Sequence, residues 1–180
     1  MPVIDCGPCT LRPWREGDVP SLVRHANDRE VWRQLRDRFP HPYTPADAEA
    51  WVGLTAAEDP PVHFAIEVGG EAVGGIGLEL GEDVERISAE LGYWLGRAHW
   101  GRGIVSAAAR AVTAYALTEL GLTRVFALPY AENRASIRVL EKAGYVREGR
   151  LRRAALKDGT VLDQELFAIT DLDLARAGYG

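Results

Sequence analysis

Apolar and polar positions alternate over three successive stretches, His63–Val68, Ala72–Leu80 and Ile87–Leu95, set apart by a G-G turn and then a G-E-D turn. A two-residue period rich in β-branched side chains reads as strand, and connections this short predict an antiparallel meander. Ahead of it, Thr10, Leu11, Arg12 and Trp14 read as a strand ending at Gly17, because Pro13 would fall inside any helix drawn there. Asp18 is placed to cap a broken helical stretch carrying Leu22, Val23, Ala26, Val31, Trp32 and Leu35. The two prolines of Arg36–Tyr43 predict a loop. Thr44 then caps a second helix, with Pro45 at its first position, Asp47 in its first turn and Ala48, Trp51, Val52 and Leu54 on its apolar side.

Beyond the meander the period lengthens. Ile104, Ala108, Ala111, Val112 and Tyr115 repeat at helical spacing within Gly103–Leu120, and their small neighbours favour close packing on a sheet. Arg124–Leu128 reads as a short buried strand, and Ala135–Ala143 as a helix closed by Gly144. Tyr145–Leu156 and Val161–Ile169 read as two strands joined by a turn at Lys157–Thr160. The resulting order, β-α-α-β-β-β-α-β-α-β-β, predicts an α+β fold with a central mixed, mostly antiparallel twisted sheet flanked by helices.

Composition narrows the function classes. With 180 residues, 47% of them hydrophobic and 26% charged, the chain is expected to form one soluble domain. No apolar run approaches the roughly 18 residues of a membrane span, and M-P-V-I-D lacks the pattern of a secretion signal, so a cytoplasmic location and no membrane partner are expected. A net charge of −5 disfavours nucleic acid and is compatible with cationic amines. Two cysteines give neither a disulfide framework nor a tetrahedral zinc set, and no metal is expected. The C-G-P-C at Cys6–Cys9 has the spacing of a dithiol redox motif. Only five residues precede it, however, too few for the strand that must come before, and no helix follows. Residues 1–9 are therefore expected to be a flexible segment with two incidental thiols, and residues 10–177 a single domain.

Two stretches carry candidate chemistry. In Y-W-L-G-R-A-H-W-G-R-G-I-V-S (Tyr93–Ser106) a strand passes through glycines into the start of the long helix, a junction that presents unpaired N–H groups and a positive dipole end to a phosphate. Arg102, with Arg97 and His99, could add charge. The Walker and dinucleotide patterns are both incomplete here, and an ordinary strand-to-helix turn stays open on these residues alone. The second stretch is N-R-A-S-I-R-V-L-E-K-A-G-Y (Asn133–Tyr145).

Together, L-G-Y-W-L (Leu91–Leu95), W-G-R-G (Trp100–Gly103) and N-x-x-S with Asn133 and Ser136 resemble the GNAT (GCN5-related N-acetyltransferase) superfamily and its RimJ/RimL-like branch. The likeness runs from L-R-P-W-R-E-G-D to the last strand and includes F-P-H-P-Y (Phe39–Tyr43). It implies a GNAT fold and acetyl-CoA as cosubstrate, with the pyrophosphate on amides around Arg102, Gly103, Val105 and Ser106. It also implies the pantetheine arm beside Trp94 and Leu95 and held by Asn133. Val105 and Ala107 depart from the usual Gly/Ala and Glu of the branch. Leu140 stands where many members have a proton-donating tyrosine, and the resemblance points instead to Ser136 as donor to the leaving sulfur, although a helix-start serine also bonds local backbone.

Acetyl transfer to an amine requires a neutral nucleophile, an oxyanion donor and a stabilised thiolate. An α-amine, with a reference pKa of about 8, needs little deprotonation help compared with lysine. Glu90, on the strand beside the implied acyl site, is the candidate base, directly or through a water; a backbone N–H near Leu95 is the candidate oxyanion donor. His41 and Tyr43 lie in the loop where the resemblance places acceptor contacts. His25 and His63 read as residues without partners, and Arg147, Arg150, Arg152 and Arg153 as a half-solvated basic run. The expected function is acetylation of a primary amine, most simply a protein N-terminal α-amine. The alternatives are a small amine (polyamine or aminoglycoside) and a CoA-binding domain without turnover. The resemblance also implies a homodimer.

Overall fold

The computed structural model of the chain describes residues 2–176. Its strands are β1 (Ile4–Asp5), β2 (Thr10–Arg12), β3 (His63–Val68), β4 (Glu71–Leu80), β5 (Ser88–Leu95), β6 (Arg124–Ala127), β7 (Val146–Lys157) and β8 (Thr160–Thr170). Its helices are α1 (Val19–Ala26), α2 (Arg29–Trp32), α3 (Pro45–Thr55), α4 (Ile104–Thr118), α5 (Arg134–Lys142) and α6 (Asp171–Arg176). The strands form one mixed sheet in the order β1-β2-β3-β4-β5-β6-β8-β7. β1–β2, β2–β3, β3–β4, β6–β8 and β7–β8 pair antiparallel, and β5 pairs parallel with β6. That one parallel pair requires a long crossover, and α4 supplies it.

The local signals behind these elements are visible. Thr44 and Asp47 form a reciprocal capping box at the start of α3, with Thr44 N donating to Asp47 Oδ2 at 2.8 Å and Pro45 occupying a position whose N–H would go unused. Gly144, at φ +92°, closes α5. Asp158 and Gly159, both at positive φ, make the two-residue turn between β7 and β8.

Three expectations need correction. The first concerns residues 1–9: Ile4 and Asp5 pair antiparallel with Leu11 and Thr10, so the segment adds an edge strand. Cys6 N donates to Cys9 O at 2.9 Å, and Gly7, at φ +86°, lets C-G-P-C close as a hairpin turn. Second, Asp18 precedes α1 but makes no side-chain cap. Arg12, six residues earlier, takes both its oxygens, at 2.7 and 2.8 Å, and also bonds Glu67; a buried guanidinium without such partners would be far costlier than an uncapped helix. Third, His25 and His63 have carboxylate partners, Glu71 at 3.0 Å and Glu58 at 2.6 Å. The short α2 and the C-terminal α6 complete the element order, and residue 177, the expected domain end, lies outside the described residues.

The described residues divide into two compact units, 2–77 with Tyr93–Ala108, and Leu78–Gly92 with 109–176. The first is packed around Trp14, Leu22, Tyr43 and Val52, with Phe39, Trp51 and Trp94 against them. In the second, Val112, Val125, Leu140 and Phe167 are fully buried, and a Thr113–Tyr145 hydroxyl pair at 2.6 Å satisfies two polar groups within that apolar setting.

Candidate active site

The strand-to-helix junction of the first unit is built by glycine. Gly74 and Gly75 in β4 face the end of β5 so closely that a Cβ on Gly74 would lie 2.5 Å from Trp94 O, and one on Gly75 2.8 Å from Trp94 Nε1. No larger residue fits at either position without moving backbone or indole. Past β5, Gly96 N donates to Val73 O at 2.8 Å, and a single turn, Arg97–His99, leads into W-G-R-G. Gly101 and Gly103 both stand at φ +73°, a region L-residues rarely enter. The first carbonyl of α4 is that of Gly103, which accepts from Ala107 N at 3.2 Å. The amides of Ile104, Val105 and Ser106 therefore lie in the first helical turn, ahead of any carbonyl that could take them within the helix.

Those amides sit at the positive end of a 15-residue helix, and a Cβ on Gly101 or Gly103 would meet nothing within 4 Å. Open space, first-turn N–H donors and a helix dipole together suit an anion of phosphate type. Arg102 is exposed beside them. Of the other two basic candidates, Arg97 is turned away to Asp28 at 2.9 Å. His99 faces Arg102, with Nδ1 3.2 Å from Nη1. Burial, joined by its neighbours His25 and Arg102 and opposed by Glu71, holds the His99 pKa below its usual value. The sequence offered His99 as added charge; the structure makes it a lone-pair acceptor.

Trp94 and Leu95 end β5 in this same unit. The β5–β6 ladder runs only from Ser88 to Glu90, so on its β6 side the strand continues past its partner, as an extended ligand alongside it would require. Leu95 O accepts from Trp100 Nε1 at 2.7 Å, a bond that ties the glycine loop to the strand end and uses one lone pair of that carbonyl. The sequence showed Trp100 only as part of a motif. Beneath the helix start, the buried Cys9 thiol lies 3.9 Å from Ile104 O, and the Cys6 thiol, outweighing burial, draws its pKa below the usual thiol value.

Of the two loop candidates, Tyr43 is a core residue, 5% exposed, its ring 5.1 Å from Phe39, which in turn stands 5.5 Å from Trp94. Burial and then Asp47 push its hydroxyl up to about 12. Tyr43 thus reaches the site through packing, by backing Phe39 and Trp94. His41 is exposed, its ring 5.6 Å from Trp32.

Glu90, Asn133 and Ser136 belong to the second unit. Glu90 is half-buried in β5, between the buried Ala89 and Leu91, whose side chains take the opposite face of the strand. Asn133 caps α5: its Oδ1 accepts from Ser136 N at 3.1 Å, leaving the Nδ2 end of the amide outside that bond. Ser136 is half-buried in the first turn. Leu140 is wholly buried and serves the core. In the basic run, Arg147 and Arg150 both bond the buried Glu165, each at 2.7 Å, and their charges outweigh burial to hold its pKa below the usual carboxylate range. Among the described residues no group of three or more His, Cys, Asp or Glu could hold a metal ion, and no helix is long and apolar enough to cross a membrane.

A strand that outruns its β6 neighbour, a left-handed glycine loop and the first-turn amides of α4 together make a site suited to a phosphate-bearing ligand. The family profile described as "Acetyltransferase (GNAT) domain" matches residues 9–146. The chain is 30% identical to an uncharacterized N-acetyltransferase, p20, of Bacillus licheniformis, over 92% of its own length and 94% of the relative's. It is 29% identical to the spermidine N(1)-acetyltransferase of Escherichia coli over 78% of its own length and 74% of that enzyme's. Other curated relatives, from Bacillus subtilis, are matched over about half their length. Among solved structures, RimJ of Mycobacterium smegmatis in complex with CoA-disulfide superposes with a TM-score of 0.80 at 27% identity, covering 99% of this chain and 93% of that one. The chain belongs to the GNAT family: it is an acetyl-CoA-dependent N-acetyltransferase with the GNAT fold.

Proposed function

We propose that the chain transfers the acetyl group of acetyl-CoA to the α-amine at a protein N-terminus. The observation that carries this reading is the likeness to RimJ along nearly the whole chain, fold and sequence together. The site chemistry supports it, since an α-amine is appreciably neutral near pH 7 and asks only a modest base. In this reading the amides of Gly103, Val105 and Ser106, with the Arg102 guanidinium, bind the diphosphate, while Trp94, Leu95 and Asn133 line the pantetheine arm. Acetyl-CoA, when bound, supplies the thioester carbonyl that is attacked.

The Glu90 carboxylate takes the proton of the attacking amine, directly or through a water, and a backbone N–H near Leu95 meets the developing oxyanion. The Ser136 hydroxyl donates to the departing sulfur, and His41 contacts the acceptor. Residues 10–177 act as one acetyltransferase domain, in the cytoplasm and as a homodimer. Replacing Glu90 with Gln is expected to lower kcat about a hundredfold with little change in KM for acetyl-CoA. An unchanged kcat would remove Glu90 from the mechanism.

A second reading, acetylation of a small cationic amine, is favoured by the spermidine enzyme among the relatives and by the net charge of −5. Thiol release from acetyl-CoA separates the two. Peptides with a free N-terminus are expected to drive it, and the same peptides with a blocked N-terminus and an internal lysine are not. Turnover with spermidine but not with free N-termini would replace the first reading by the second.

A further inference from the structure

We propose that His99 is a positioning residue for the acyl-donor phosphates: its neutral imidazole holds the Arg102 guanidinium at the Gly101–Gly103 loop, and His25 and Glu71 hold His99. The inference rests on the reading that this loop takes the diphosphate of acetyl-CoA.

Arg102 carries only donors, so the His99 Nδ1 that stands 3.2 Å from its Nη1 must present a lone pair. That places the ring proton on Nε2 and requires an uncharged imidazole, the form that burial and the facing Arg102 favour. The ring is fixed from behind. His25 meets it edge to face, with centroids 5.4 Å apart and planes at 72°. His25 Nε2 lies 3.0 Å from Glu71 Oε1, an oxygen that also receives Arg24 Nη1 at 2.6 Å, and this pairing holds Glu71 in its ionised form below the usual carboxylate range.

Gly96 makes the arrangement possible. A Cβ there would lie 2.5 Å from His25 Nδ1, so only glycine lets the imidazole lie on the chain where β5 leaves the sheet. The Gly96 N–H bond to Val73 O fixes that point to β4, the strand that also carries Glu71. A line of contacts thus runs from Glu71 on β4 through His25 on α1 to His99 and Arg102, all within one compact unit.

The physical gain is preorganisation. A free arginine side chain gives up rotamer freedom when it clamps a phosphate, and a side chain already held gives up less. The neutral acceptor does this without adding a second cation beside Arg102.

Calorimetric titration of the full chain with CoA, read for wild type, His99→Leu, His99→Asn, Arg102→Ala and the double variant His99→Leu/Arg102→Ala, tests the inference. Losing one hydrogen bond of this kind is expected to weaken CoA binding roughly fivefold in His99→Leu. Asn offers Oδ1 near the place of Nδ1, and His99→Asn is expected to recover most of the loss. In the Arg102→Ala background the His99→Leu change is expected to cost nothing further. Wild-type affinity in His99→Leu, an equal loss with Arg102 absent, or no recovery with Asn overturns the inference. Imidazole nitrogen shifts of the wild-type protein give a readout independent of any variant's folding: a neutral Nε2–H tautomer at neutral pH is expected, and a charged ring or an Nδ1–H tautomer contradicts it. A wild-type chain that takes up no CoA at all removes the underlying reading, an outcome distinct from CoA binding that ignores His99.

Discussion

Gly103 concentrates the physics of the site in one residue. Its left-handed φ of +73° is the conformation in which the chain turns into α4, and its carbonyl accepts the helix's first bond. Because nothing stands within 4 Å of a Cβ there, Gly103→Ala should fit sterically and still strain the backbone by about 1–2 kcal/mol. The expected result is a lower melting temperature together with a raised KM for acetyl-CoA. A variant with only the thermal defect would show that the loop geometry is not used for the donor. Tyr43 makes a different kind of test. Its folded-state pKa of about 12 lies above the ordinary value near 10, so the neutral phenol is the form the fold favours. That contribution is fully present below about pH 10 and is lost as pH rises through about 12. Stability followed by denaturant titration should therefore fall across this window, and Tyr43→Phe should flatten the fall; an unchanged slope in the variant would contradict the burial account.

At the scale of elements, the C-G-P-C stretch shows how a motif can be overruled by its context. It closes a hairpin rather than opening a helix, and one thiol is buried against α4. Replacing Cys6 and Cys9 with Ser is expected to leave acetyl transfer unchanged in thiol-release assays, and loss of turnover would revive a redox role. What was legible in the sequence was local. The α3 capping box, the Gly144 stop of α5 and the turn at Asp158–Gly159 each depend on residues within a few positions, and each stands where its residues predict. β1, two residues long, exists only because Thr10 and Leu11 lie opposite it. Asp18 has the chemistry of a cap, yet Arg12 claims it, and no single-helix pattern announces a buried ion pair. The His25–Glu71 and Trp100–Leu95 contacts behind the glycine loop were illegible for the same reason: each is set by tertiary geometry and has no periodicity to betray it.

For the molecule as a whole, the charge argument runs against the ligand. A chain of net charge −5 does not draw in a polyanion from a distance. In the proposed reading the affinity comes from short-range groups, namely the amides at the start of α4 and the guanidinium of Arg102, acting where the glycines let the ligand approach. Hydrophobic contacts along the pantetheine arm cannot replace them, since that arm carries no charge for the helix start to meet. Calorimetric titration of CoA and, separately, of pantetheine into the purified chain tests this most directly. The account predicts saturable heat with CoA at micromolar concentrations and far weaker binding of pantetheine; no uptake of CoA at millimolar concentration, or pantetheine bound as tightly as CoA, would contradict it.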